Sequence, residues 1–263
     1  MNKGKEDNPP LLETRGLYKS FGHVKALNGV DLKIFEGQVL AIVGDNGAGK
    51  TTLIKLLSGA MVPDGGEIIV RSEVFKRLSP SKAIQLGIST VYQDLALVNS
   101  LDIVSNIFLG REEISGKFFL NKKKMKKEAS KLLDSLQIDI PLLKLPVSYL
   151  SGGQRQAIAV SRAINQGGKI IIFDEPTAAM GIRESARILK LIKKLGEKGF
   201  AVIVISHNLH QVFEISDRIC VLRQGQVVED FITRNTHPDE IIHVITGSDQ
   251  YYLKRNGEVP SNF

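Results

Sequence analysis

The chain has 263 residues, enough for one large domain or two modest ones with a substantial buried core. With 43% hydrophobic and 24% charged residues it has the make-up of an ordinary folded protein. No apolar run reaches the ~18–20 residues that crossing a bilayer requires. The net charge of +7 suits an acidic partner such as a nucleotide, nucleic acid or anionic lipid head groups, and the single cysteine excludes an intrachain disulfide.

Residues 1–10 open with the polar "MNKGKEDN", which is not expected to act as a secretory leader and reads as a flexible tail. The following stretches "LLETRGLYKSFG" and "NGVDLKIFEGQ", and later "GGEIIVRSEVF", carry turn residues and short alternating runs, predicting an N-terminal antiparallel β subdomain. Three continuous apolar runs, "QVLAIVGD", "KIIIFDE" and "FAVIVISH", predict buried parallel strands. From Leu101 to about Asn165 strand signals give way to helical ones, broken by "SGK", Pro141 and Pro146. This predicts a helical subdomain, about 94–165, inserted into an α/β core. Its cluster "NKKKMKKEASK" at 121–131 reads as a solvated helix face, with membrane-surface or nucleic-acid contact as the alternative. In "RESARILKLIKKLGEKG" the apolar positions Ile188, Leu189, Leu191, Ile192 and Leu195 recur at helical spacing, and Gly199 is placed to end the helix. "RICVLRQG" predicts a strand with Cys220 as a packed core thiol. "HPDEIIHVITG" predicts a last short helix, and 248–263 reads as a tail.

The chemistry is carried by motifs at the ends of the predicted strands. "GDNGAGKT" matches G-x-x-x-x-G-K-[ST] through Gly44, Gly49, Lys50 and Thr51, after an apolar strand and before an apolar helix. Small residues there let backbone N–H groups converge on phosphates, with Lys50 reaching the β- and γ-phosphates and the Thr51 hydroxyl reaching Mg²⁺. "KIIIFDEPT" delivers Asp174, expected to serve the metal, and Glu175, expected to polarise an attacking water as general base. "VISHN" brings His207 to the same sheet edge, within expected reach of the γ-phosphate. Gln93 in "VYQD" is a candidate contact to the water or the metal. A second serine- and glycine-rich loop, "SYLSGGQRQA" at 148–157, has the composition of a further anion cradle.

Taken in order, "GDNGAGKTT", "VYQD", "LSGGQRQ", "IIIFDEPT" and "VISH" resemble the ATP-binding subunits of ABC transporters over residues 11–247. The resemblance implies a P-loop NTPase fold and ATP with Mg²⁺ as ligands. It also implies a phosphate shell from Gly44, Asn46, Gly47, Ala48, Gly49, Lys50, Thr51 and Thr52, with Tyr18 stacked on adenine. It further implies that two subunits pair head-to-tail, so that Ser151, Gly152, Gly153 and Gln154 of one meet the ATP held by the other. A single-half chain then works as a homodimer or beside a second ATP-binding subunit, at the cytoplasmic face of the membrane. Gln93 begins the segment that senses transmembrane permease subunits, 94–150 docks on them, and an extracytoplasmic sugar-binding protein takes part indirectly.

The same resemblance singles out one departure. After "DEPT" most of the family has an aspartate-containing loop, whereas this chain reads "AAMG" with Gly181 in the aspartate's place. Together with "VSNIFLGREE" and "ISHNLHQVFEISDRICVLRQG", this region resembles the subgroup that energises monosaccharide import. Two other readings compete: a remodelling ABC ATPase acting on ribosomes or nucleic acid, and a non-hydrolysing ATP-dependent scaffold. An intact Glu175 opposes the scaffold, and the short helical insertion opposes the remodeller.

Overall fold

The computed structural model describes residues 9–116, 119–140, 142–178 and 180–247. The expected tail 248–263, most of the expected N-terminal tail, Lys117 of "SGK", Pro141 and Ala179 lie outside the described residues. The first half of the chain runs β1 (Leu12–Phe21), β2 (Val24–Ile34), β3 (Val39–Val43), α1 (Lys50–Leu57), β4 (Gly65–Val70), β5 (Glu73–Phe75), α2 (Pro80–Gln85) and β6 (Ile88–Val91). Next come α3 (Ile103–Phe108), β7 (Ile114–Ser115), β8 (Phe119–Leu120), α4 (Lys122–Leu136) and α5 (Gly152–Asn165). The chain continues through β9 (Ile170–Asp174), α6 (Ile182–Glu197), β10 (Ala201–Ile205), α7 (Leu209–Ile215), β11 (Arg218–Arg223), β12 (Gln226–Ile232) and α8 (Pro238–Thr246).

Two main sheets result. The N-terminal sheet is antiparallel with order β2-β1-β4-β5; the larger has order β12-β11-β3-β10-β9-β6, parallel except for β12 on its edge. Period-2 alternation between two buried faces explains why β10, and β9 as far as Phe173, are apolar. Ile170, Ile172, Ala201, Ile203 and Ile205 face one core, shared with the antiparallel sheet and with Leu53, Ile54, Leu56 and Leu57 of α1. Ile171, Phe173, Val202 and Val204 face the opposite core, filled by α5 and by Ile188, Leu189, Leu191, Ile192 and Leu195 of α6. Helix α1 is therefore held between two sheets, which fixes the loop entering it. Cys220 is fully buried in the first core, where desolvation raises its thiol pKa far above the usual range, so it is an inert packing residue.

The helical layer has its own core: Ile103, Val104, Ile107 and Phe108 of α3, Met125, Ala129 and Leu133 of α4, and Ile158 of α5. Helix α5 belongs to both layers, because Ala157, Ala159, Val160 and Ala163 pack into the sheet-side core. The region read as helical also contains a hairpin, β7–β8, pairing Ile114 with Leu120 and Ser115 with Phe119. Strands of two residues are too short to produce a period-2 signal, so the sequence shows only the break. Helix α2 is an element that the sequence patterns above do not predict; Ser79 caps it, accepting from the Lys82 N–H, and Pro80 opens it.

Candidate functional site at the carboxyl edge of the parallel sheet

The strand ends of β3, β9 and β10 meet at one edge, where an α/β sheet presents its ligand groups. The 44–49 loop leaves β3 with glycines whose roles are steric. Gly44 has φ +151°, and a Cβ there would lie 2.0 Å from the Leu222 carbonyl oxygen; Gly49 has φ +107° and would meet the Ala26 carbonyl oxygen at 2.4 Å. No side chain fits at either position, so the loop is pressed against β2 and β11. The Gln224–Gly225 turn clamps it further, the Gly225 N–H donating to the Ala48 carbonyl at 3.0 Å. Both turn residues have positive φ, as a tight hairpin turn demands. Ala48 is buried, Asn46 and Gly47 are exposed, Thr51 is exposed and Thr52 half-buried. Helix α1 begins at Lys50 with no side-chain cap, so its first N–H groups have no side-chain acceptor, while the Leu53 N–H donates to the Gly49 carbonyl at 2.9 Å.

Lys50 Nζ folds back onto its own loop, donating to the carbonyls of Gly44 at 2.6 Å and Asp45 at 2.9 Å. Burial lowers its pKa, opposed by the charges of Glu175, Asp45 and Asp174. Asp174 closes β9. Burial, then repulsion from Glu175, raises its pKa, with Lys50 and Lys55 opposing. Glu175 sits at φ +50°, unusual for a non-glycine residue, and its N–H donates to the Ile205 carbonyl of β10 at 3.0 Å. That strained turn aims its carboxylate at His207, whose Nδ1 lies 2.8 Å from Glu175 Oε2. Thr177 Oγ1 donates to Gln211 Oε1 at 2.6 Å, tying the segment after the carboxylates to α7.

The structure thus brings together the 44–52 loop, Asp174, Glu175 and His207. Tyr18 is half-buried in β1 and pairs with Asn28 of β2, one strand from the Ala26–Asn28 wall of the loop. Gln93 is exposed just beyond β6, and its neighbour Tyr92 donates from its hydroxyl to Ser58 Oγ at 2.9 Å, beside the end of α1.

The 151–154 loop is separate. Ser151 caps α5: its hydroxyl accepts from the Gln154 N–H at 3.4 Å, and Gln154 Oε1 accepts from the Ser151 N–H at 3.1 Å. Gly152 is exposed, and Gly153 is buried against Glu184 of α6. Among the described residues no hydrogen bond or ion pair joins this loop to the 44–52 loop. Gly181 caps α6 through its backbone alone, with φ −69° and open space where a side chain would stand.

Two positioning residues escaped the sequence reading. Arg162 of α5 donates to the carbonyls of Ala96 at 2.8 Å and Leu95 at 2.7 Å, holding the segment just after Gln93, and burial lowers its pKa. Fully buried Asn106 donates to the carbonyls of Val98, Leu101 and Asp102 and accepts from the Val98 N–H. Its signal was an asparagine amid the apolar "IVSNIF"; Arg162 left none, because its partners lie 66 and 67 residues away.

Comparison with known proteins places the chain in a family. A family model described as ABC transporter matches residues 27–178. The chain is 50% identical over 236 residues to the xylose/arabinose import ATP-binding protein XylG of Sulfolobus acidocaldarius, covering 90% of this chain and 94% of that protein. It is 46% identical to the fructose import ATP-binding protein FrcA of Rhizobium meliloti, over 82% of this chain and 86% of that one. It is 39% identical to the ribose import ATP-binding protein RbsA of Yersinia pestis, of which it spans 49%. Among solved structures, the ADP conformation of MJ1267, an ATP-binding cassette of an ABC transporter, superposes with TM-score 0.79 at 26% identity, covering 94% of this chain and 99% of that one. The dimeric post-hydrolysis cassette MJ0796, bound to ADP and Pi, superposes with TM-score 0.71 at 27% identity, covering 85% and 99%. The chain belongs to the ABC transporter family, as one of its ATP-binding proteins.

Proposed function

We propose that this protein powers import of a monosaccharide by hydrolysing ATP between two head-to-tail subunits. The observation that carries the reading is the separation of its two glycine-rich loops, one joined to the carboxylates and histidine, the other facing outward on α5. A phosphate-facing loop with no phosphate site of its own is useful when a partner presents one, and a two-fold pair uses each loop twice. In this reading residues 11–247 form one cassette, with about 94–165 as its helical subdomain. The names of the sugar-import relatives supply the substrate class.

Each residue then has a task. Tyr18 stacks on adenine. The loop from Gly44 through Thr52 holds the phosphates, for which Lys50 exchanges its bonds to the Gly44 and Asp45 carbonyls. Glu175 takes the proton of the attacking water, and His207, already paired with it, orients that carboxylate and reaches the γ-phosphate. Ser151, Gly152, Gly153 and Gln154 close the site from the partner subunit. Magnesium fits the donors: Thr51, Gln93 and Asp174 offer the hard oxygens it prefers. The adjacent carboxylates Asp174 and Glu175 leave negative charge that Lys50 and Lys55 only partly offset. Among the described residues no three His, Cys, Asp or Glu side chains form a metal cage. When bound, the ion neutralises charge on the β- and γ-phosphates.

The described residues include no helix long and apolar enough to cross a membrane. We place the subunit at the cytoplasmic face, where the segment from Gln93 through the helical layer docks on permease subunits and an extracytoplasmic binding protein delivers the sugar. Tagged Glu175→Gln protein, purified with ATP from gently solubilised membranes, should lose hydrolysis by about 10²–10⁴-fold, persist as a dimer and bring a polytopic permease with it. Ribosomes or nucleic acid in place of a permease would overturn this reading.

A further inference from the structure

The β7–β8 hairpin and the helix it feeds lie within the broad stretch placed against the permease above, yet they carry a surface with a chemistry of its own. Phe119 is 77% exposed, Ile114 61% and Leu120 50%, so the hairpin shows apolar side chains on both faces and buries none of these three. So short a hairpin has little stability of its own. It is fixed instead to α4, because the Asn121 N–H donates to the Glu113 carbonyl at 2.7 Å while the Asn121 side chain caps the helix. The first turns of α4 then carry Lys122, Lys123, Lys124, Lys126 and Lys127, all exposed, with no acidic residue in the first turn. Cations at that end oppose the helix dipole, so their placement works against the helix itself. Nearby carboxylates do not relieve them. Glu113 and Glu128 both pair with Lys124, at 2.7 Å and 3.9 Å, and among the described residues Lys122, Lys123, Lys126 and Lys127 have no ion pair. Met125, Ala129 and Leu133 seat α4 in the helical core, while the five lysines stay exposed around its first turns.

We propose that this hairpin and the start of α4 form a contact for the anionic phospholipid surface, Phe119, Ile114 and Leu120 entering the head-group layer while the lysines meet lipid phosphates. A basic helix end beside exposed aromatic and aliphatic side chains has the composition of an interfacial anchor. Its charge complements an acidic leaflet, each lysine strengthening binding about fivefold. The proposal relies on the transport reading only for the presence of a membrane, and vesicles free of any permease test it separately.

The chain contains no tryptophan, so Phe119→Trp introduces a unique reporter. With mixed phosphatidylglycerol/phosphatidylcholine vesicles its emission should shift to the blue; with phosphatidylcholine alone it should not. In co-sedimentation with the mixed vesicles, Lys122→Gln/Lys123→Gln should weaken binding about 25-fold, each lysine counting fivefold. Lys190→Gln/Lys193→Gln on α6 changes the net charge equally on another exposed face and should have far less effect. Equal losses from the two pairs would show that overall charge alone drives binding and would overturn the proposal, as would sedimentation without a blue shift. Absent vesicle binding, with permease co-purification weakened by the Lys122/Lys123 pair, would assign the surface to a protein partner and overturn it as well.

Discussion

The two glycine-rich loops have similar compositions and each opens a helix, yet they are built in opposite ways. The 44–49 loop is determined by its surroundings: Gly44 and Gly49 adopt positive φ within touching distance of backbone from β11 and β2, and a hairpin turn clamps Ala48 from outside. The 151–154 loop is determined by itself, through a reciprocal Ser151–Gln154 cap. The first is a finished cradle backed by two sheets. The second is a well-formed helix start whose outer side is open, a surface made to be completed by something else.

Ser151→Arg should therefore give the largest contrast. An arginine on the open side should lower hydrolysis by at least about 10²-fold, on the scale of losing a transition-state donor, while equilibrium binding of ATP to the monomer stays near wild type. Loss of both together would mean that Ser151 serves the nucleotide of its own chain. The glycines sharpen the contrast in stability. Gly44→Ala forces a methyl group into the Leu222 carbonyl and should destabilise the fold by about 3 kcal/mol or more in denaturant unfolding. Gly152→Ala places its methyl an ordinary 3.6 Å from Glu184 Oε2 and should change stability by less than about 1 kcal/mol while still impairing hydrolysis. Similar unfolding curves for both variants would dissolve the distinction.

The smallest effect concerns charge stored beside the first loop. In the nucleotide-free protein burial and Glu175 raise the Asp174 pKa. Between the ordinary aspartate value and that raised value, the folded state keeps a proton that the unfolded chain has released. Stability thus falls as pH rises through the window, and the penalty is complete above it. Asp174→Asn should raise the nucleotide-free melting temperature at pH values above that window, by a small margin because solvent screens a half-exposed carboxylate. The gain should shrink as pH falls toward about 4. A melting temperature that drops at neutral pH would mean the carboxylate stabilises the empty site.

Features written locally were legible in the sequence. The 44–52 loop, the apolar β3, β9 and β10, and the five apolar positions of α6 each follow from spacing within one segment. The resemblance led from those motifs to Ser151 and Tyr18. What stayed hidden depends on distant partners. Arg162 looks like any helical arginine until Leu95 and Ala96 turn their carbonyls toward it, and the Gln224–Gly225 turn gives no hint that it grips Ala48. The β7–β8 hairpin was hidden for a different reason, having too few residues to set a period.

Helix α5 is one unbroken rod of 14 residues, about 21 Å long at 1.5 Å per residue. Ser151 caps one end, and near the other Arg162 grips the stretch that follows Gln93. On the transport reading proposed above, the rod becomes a connecting link: a thrust on the stretch at 95–96 would arrive at the Ser151 tip with little lost to bending. Timing between membrane and nucleotide would then need no chain of small rearrangements, only a stiff part gripped at one end and exposed at the other. Wear in such a linkage falls on its joint, so loosening Arg162 should desynchronise the two ends while leaving each intact.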